Sequence, residues 1–241
     1  MFTRFTWAGV AVCAAVSFAG SSSYASGINF GSCSQIVQPA LPTPPVNCPN
    51  GDAGTSTISY SDGVVSVTAS GYLNAGAAEH LYVKNSATPG ETGLGTIIDT
   101  ADHEITDKDF VNLDLSNLLA HGITSAQLTI ESLQASENFS LCQGAAVGVF
   151  GTLNCQSGGG GSLIKTVTIT FNSTNDILSI QGIQQPGSPI VLGPDVLVQG
   201  LTFTTPSQTP EPASMLLFGT GIASIILKRR RRSGNKQPAT V

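Results

Sequence analysis

Apolar and polar residues alternate along much of the central part of the chain, as they do in strands with one buried face. Residues 163–171 show this best, because Val167, Ile169 and Phe171 alternate with threonines. Similar runs, separated by Gly, Asn, Asp or Pro, lie at 57–60, 64–68, 80–83, 110–115, 126–133, 177–183 and 196–203. Residues 61–63 fit a hairpin turn. In this central part of the chain, a short helix is predicted only at 115–121. We therefore expect an all-β domain, an antiparallel β-sandwich or jelly roll.

The first 25 residues have the pattern of a secretory signal peptide. Arg4 is followed by an uncharged run at 5–19, and small residues lead to the sequence Ser23-Tyr24-Ala25. A retained membrane anchor is the alternative interpretation, but the run is short and the Ser-x-Ala exit suits signal peptidase. We expect the cut after Ala25, which leaves 26–204 as the β-sandwich domain.

A second uncharged segment, 213–227, lies near the C-terminus. Its 15 residues would rise about 22 Å as a helix, short of a hydrocarbon core of about 30 Å. Five consecutive basic residues follow it: Lys228, Arg229, Arg230, Arg231 and Arg232. A buried core helix is the alternative, but such a cluster does not fit a protein interior. The sequence predicts a transmembrane helix at 213–227 with a cytoplasmic tail at 228–241.

A proline-rich linker at 205–212 precedes this helix and ends in Pro210, Glu211 and Pro212. The order of Pro-Glu-Pro, a short apolar segment and an arginine cluster resembles the PEP-CTERM sorting tail of Gram-negative bacteria. The resemblance implies that an exosortase, a membrane-integral transpeptidase-like protease, cuts near Pro-Glu-Pro after the tail has served as a transient membrane anchor. It also implies export through the inner membrane to the cell envelope, the cell surface or the medium, in bacteria that make extracellular polysaccharide. The chain would be a substrate of that enzyme.

The domain between the two ends is strongly acidic. Lys84, Lys108 and Lys165 are its only basic residues against fourteen Asp and Glu, a formal charge of −11. Such a surface does not bind nucleic acid by counterion release. It also repels acidic polysaccharide unless divalent cations bridge the two.

Four cysteines remain after removal of the signal peptide, which is consistent with two disulfides in an exported protein. Three connectivities are possible, and we expect the sequence-local pairs Cys33–Cys48 and Cys142–Cys155. Each would close a loop of about 15 residues, worth roughly 3 kcal/mol.

Five carboxylates crowd into eleven residues: Asp99, Asp102, Glu104, Asp107 and Asp109. Either this is a solvated acidic loop, or Ca²⁺ relieves the repulsion through oxygen ligands. No other cofactor is expected. The sequence lacks Gly-x-Ser-x-Gly and His-Glu-x-x-His, so no catalytic residues are predicted.

Three functions follow in order of preference. The first is a structural protein of the cell surface or biofilm matrix. The second is a Ca²⁺-dependent polysaccharide-binding module, although the domain lacks Trp and offers only Tyr60, Tyr72 and Tyr82 for stacking on a sugar. The third is an enzyme of unknown class.

Overall fold

The fold is nearly all β, with its strands in two antiparallel sheets. The computed structural model describes residues 25–38, 51–86, 91–134, 137–159, 161–184 and 194–205, all within one compact unit. Several predicted features lie outside these residues: the signal peptide up to residue 24, Cys48, the sorting motif, the transmembrane helix and the basic tail. Within the described ranges, no helix is both long enough and apolar enough to cross a bilayer.

The first sheet has seven strands: β1 (Ala25–Asn29), β3 (Gly51–Asp52), β7 (Leu81–Asn85), β8 (Thr92–Thr96), β10 (Ser125–Glu131), β13 (Ile164–Thr170) and β15 (Leu197–Thr204). Their order in the sheet is β13-β10-β15-β8-β7-β3, with β1 also paired to β15. Most neighbours in this sheet are distant in sequence, so its stability depends on long-range pairing.

The second sheet has eight strands: β2 (Ile36–Gln38), β4 (Thr57–Ser61), β5 (Ser66–Leu73), β6 (Ala78–Glu79), β9 (Asp109–Asp114), β11 (Glu137–Gly144), β12 (Leu153–Gly159) and β14 (Ile177–Gln184). Their order in the sheet is β12-β11-β14-β9-β5-β4-β2, with β6 also paired to β5. All described strand pairs in both sheets are antiparallel, as predicted for the class.

Side chains from both sheets share one hydrophobic core. Leu128 and Leu201 enter it from the first sheet, and Leu113, Phe139 and Ile180 enter it from the second. Each of these five is 1% exposed or less. Alternation along the strands therefore separates a common interior from two outer faces.

The two short local predictions are confirmed. β4 and β5 form a hairpin whose turn contains Gly63 at φ 96°. Oδ1 of Asp62 accepts hydrogen bonds of 2.9 Å from the backbone N–H groups of Val64 and Val65. The one α-helix of the described residues is α1 (Ser116–Ala120), and it is followed by Gly122 at φ 76°.

The first and last strands of the unit are neighbours. β1 pairs with β15 antiparallel, with Ala25 opposite Thr204. The position at which we predict signal-peptide cleavage and the start of the C-terminal linker therefore lie side by side at the same end of the first sheet.

Candidate functional site

The acidic residues at 99–104 form a tight turn after β8. Oδ1 of Asp99 accepts a hydrogen bond from the backbone N–H of Ala101 (3.1 Å), and Oδ2 accepts one from that of Asp102 (3.0 Å). The backbone carbonyl of Asp99 accepts a further bond from the N–H of His103, which adopts φ 59°. The Asp99 carboxylate thus fixes its own loop and stays at the surface beside Asp102.

A distant part of the chain brings a third carboxylate to this turn. Ile105 and Val196 form an isolated antiparallel bridge with hydrogen bonds of 2.9 and 3.1 Å. The bridge places Asp195 next to the turn, and carboxylate oxygens of Asp99, Asp102 and Asp195 lie within 4.8 Å of one another. We call these three residues the acidic triad. Three converging carboxylates are the kind of oxygen ligands that Ca²⁺ uses.

Glu104, the third predicted ligand, points into the protein and is 2% exposed. Its Oε1 accepts hydrogen bonds from Nζ of Lys84 (2.8 Å) and Oγ of Ser132 (2.9 Å). Lys84 also forms an ion pair with Glu91. Glu104 is thus an interior anchor for the loop, held by a lysine from β7.

The last two predicted ligands have separate environments. Asp109 is fully buried and accepts hydrogen bonds from Thr96 and Thr106. Asp107 is exposed and lines a cleft of about 230 Å³ together with Asp99 and Asp195. Of the five predicted carboxylates, the structure gathers Asp99 and Asp102 into the triad and leaves Asp107 at the edge of the adjoining cleft.

The electrostatics of this end of the molecule disfavour further negative charge. Burial, together with the charges of Asp99, Glu104, Glu137 and Asp102, raises the pKa of Asp195 to about 7. Burial also raises the pKa of Glu104 to about 7, against the opposing effect of the hydrogen bonds from Lys84 and Ser132. A bound divalent cation would favour the ionised form of the triad and offset this repulsion.

Sequence reasoning missed three residues of this region, namely Asp195, Lys84 and Ser132. Asp195 lies more than 80 positions beyond the acidic run, and Lys84 lies in the strand β7. No local pattern connects them to the acidic run. The composition alone gave a hint. The domain has three lysines and fourteen acidic residues, so a buried acidic residue needs one of the few lysines as its partner.

The predicted disulfide Cys142–Cys155 is present, with the two Cα atoms 4.1 Å apart. It joins β11 to β12 beside a register shift in their pairing. Cys33 is also disulfide-bonded, and its predicted partner Cys48 lies outside the described residues.

Comparison with known protein families gives a match at the C-terminus. The PEP-CTERM protein-sorting motif matches residues 208–232, so this chain carries a PEP-CTERM sorting tail, the class that the C-terminal pattern predicted. Neither a search of curated proteins nor a search of solved structures gave a match. The sorting motif indicates an exported protein that an exosortase-type enzyme processes in association with the membrane.

Proposed function

We propose that this chain is a structural protein of the cell surface or biofilm matrix, exported as a membrane-tethered precursor and released by an exosortase-type enzyme. The observation that carries the proposal is the position of the sorting motif. The motif begins at residue 208, and the last strand, β15, ends at Thr204. Cleavage near Pro210 would therefore remove the tail without cutting any described strand.

The pairing of β1 with β15 supports the same proposal. Ala25 lies opposite Thr204, so the two points at which the signal peptide and the C-terminal tail join the domain are neighbours in the first sheet. β15 is also the partner of β10 and of β8. The first sheet can therefore be completed only after β15 has crossed the membrane. Folding of the domain then depends on complete export. We also propose that the two sheets form a jelly roll.

Expression in an exosortase-producing host tests the processing step. We expect the intact mass of the chain to correspond to a start at Ser26 and an end near Pro210, and we expect this product in the surface fraction or the medium. In a matched host without the exosortase, the chain should keep residues 213–232 and stay in the membrane. A tail retained equally in both hosts would refute the processing.

The matched sequence controls change one part of the tail at a time. Glu211→Gln alters the Pro-Glu-Pro motif and leaves the apolar segment intact. Lys236→Gln alters a basic residue outside the matched range of 208–232. We expect the first variant to accumulate uncleaved precursor and the second to be processed normally.

A second candidate function is Ca²⁺-dependent binding of polysaccharide. It is favoured by the acidic triad, because Asp195 joins Asp99 and Asp102 from a distant part of the chain. Titration calorimetry with CaCl₂ should show binding that Asp195→Asn abolishes and Asp176→Asn, outside the triad, preserves. A glycan array with and without Ca²⁺ then tests the second step. Absence of Ca²⁺ binding, or array binding that ignores Ca²⁺, would refute this candidate and leave the structural role standing.

A further inference from the structure

The strand β12 is exposed on both of its faces. All of its residues except the half-buried Gly158 are exposed, whereas strands in a two-sheet fold ordinarily bury one face. β12 is the terminal strand of the second sheet, paired with β11 on one side only among the described residues. No strand of the described residues pairs with its other backbone edge, and an unpaired edge can accept another strand.

Exposed apolar side chains are concentrated around this strand. Five of the seven large hydrophobic residues that are exposed in the described part of the chain belong to the segment 147–164. They are Val147, Val149, Leu153, Leu163 and Ile164. Leu153 begins β12, while Leu163 and Ile164 follow its last residue by four and five positions. Apolar side chains thus flank β12 at both ends.

This segment is also the least charged part of an acidic protein. Between Asn138 and Asn175 the only charged residue is Lys165, in β13. The rest of the domain carries all fourteen acids. Because both copies are acidic, they repel one another in most relative orientations. Contact through this segment brings no carboxylates together. We call β12 with its flanking residues 145–152 and 161–164 the uncharged edge.

We propose that the uncharged edge is the interface through which two copies of this chain associate, with β12 of one copy paired antiparallel to β12 of the other. A two-fold axis makes such a contact self-complementary. Antiparallel pairing brings Leu153 of each copy towards the Leu163 end of the other, so the apolar ends meet. The two eight-stranded sheets would then continue into one another. This inference deepens the proposed structural role and rests on it, because export places copies together outside the cell.

Two contacts hold β12 in one position before any pairing with another copy. The disulfide between Cys142 and Cys155 fixes β12 to β11, so the open edge is presented in one position. The side-chain amide of Gln156 donates a hydrogen bond of 3.5 Å to the carbonyl of Thr168 in β13, which ties β12 to the edge of the other sheet. Pairing between copies therefore costs little ordering of the strand.

Analytical ultracentrifugation of the exported chain tests the proposal. We expect a concentration-dependent equilibrium between monomer and dimer. Gln156 is the middle residue of β12, so Gln156→Glu should weaken association about tenfold, because antiparallel pairing places the two like charges opposite one another. The matched control is Gln127→Glu, an exposed residue on β10, which has strand neighbours on both sides; its dimer should match the wild type.

A charge-swap experiment tests the pairing itself. A mixture of Gln156→Glu and Gln156→Lys chains should form a mixed dimer more strongly than either variant alone. Hydrogen exchange on the unmodified chain provides an independent measurement, since backbone amides of 154–159 should exchange more slowly as concentration rises. A chain that stays monomeric, or a dimer unaffected by either substitution, overturns the proposal. The intact mass of the same sample reports tail processing separately, so failure of one conclusion is distinguishable from failure of the other.

Discussion

Nζ of Lys84 lies 2.8 Å from Oε1 of Glu104, and the side chains are only 13% and 3% exposed. The pair joins β7 to the loop that presents the acidic triad. Burial alone would lower the pKa of Lys84, but the hydrogen bonds and charges of Glu104 and Glu91 outweigh it and raise that pKa. The lysine is therefore charged at neutral pH, and it is what allows a carboxylate to be buried beneath the triad.

Replacement of the lysine by an apolar side chain, Lys84→Met, should destabilise the fold by about 3 kcal/mol at pH 8, since it leaves Glu104 buried without a cation. At pH 5 the loss should be smaller, because Glu104 can then be protonated. Urea denaturation at the two pH values measures both quantities. Lys108→Met, at an exposed position, should change stability by no more than about 0.5 kcal/mol. Equal losses at pH 5 and pH 8 would contradict this account of the pair.

The stability of the fold should decrease as pH rises from about 4 to above 7. Glu104 and Asp195 have folded-state pKa values of about 7, above their ordinary values of 4.5 and 3.8. The folded chain therefore binds more protons than the unfolded chain in this interval, and raising the pH favours unfolding. Each group contributes a slope of at most about 1.4 kcal/mol per pH unit, and Asp195 contributes less because solvent screens it.

Asp195→Asn separates this effect from other titrations. The variant should match the wild type near pH 4, where Asp195 is protonated in the folded state, and should be more stable at pH 8. Thermal unfolding of the variant and of the wild type as a function of pH provides the measurement. A variant less stable than the wild type at pH 8 would show that the Asp195 carboxylate stabilises the fold.

The fold class and most strands follow from local patterns, whereas the triad does not. Alternation located β13 and β15, and turn residues located the β4–β5 hairpin and helix α1. β8 was missed because its sequence, Thr-Gly-Leu-Gly-Thr, has too few side chains to show alternation. β12, which ends in Gly158 and Gly159, was not predicted either. Asp195 joins Asp99 through a long-range bridge, and such contacts leave no periodic signal in one sequence.

Gly95 in β8 has a steric role that can be tested by adding one methyl group. A Cβ at this position would collide with the backbone carbonyl of His103, which crosses directly over the strand. Gly95→Ala should therefore cost about 1–3 kcal/mol through displacement of the turn. Gly54→Ala meets no atom within 4 Å and has φ 64°, so its cost of about 1 kcal/mol comes from backbone strain alone. Chemical denaturation of both variants checks the comparison, and equal costs would argue against the close approach.

Tyr60 has a buried hydroxyl without a hydrogen-bond partner in the described part of the chain. The ring is fully buried and packs edge-on against Phe30 with centroids 5.0 Å apart. Tyr60→Phe keeps this packing and removes the unsatisfied group, so we expect stability to rise by about 1 kcal/mol. Tyr82→Phe, at a half-buried position, is the control and should have little effect. The melting temperature of the Tyr60→Phe variant provides the measurement. A value below that of the wild type would mean that the Tyr60 hydroxyl has a hydrogen-bond partner in solution.

The Cys142–Cys155 bridge should stabilise the edge of the second sheet more than its centre. The bridge spans 13 positions, and closing a loop of that size is worth about 3 kcal/mol if the whole domain unfolds together. β12 makes few buried contacts, however, so in the double variant Cys142→Ser/Cys155→Ser it should detach before the rest unfolds. Hydrogen exchange should then increase at 153–159 while amides of β9 and β14 keep their protection, and the global loss should be less than about 3 kcal/mol. Uniform loss of protection across the second sheet would instead show that β12 unfolds only with the whole domain, and the full entropic effect of the bridge should then appear in the denaturation midpoint.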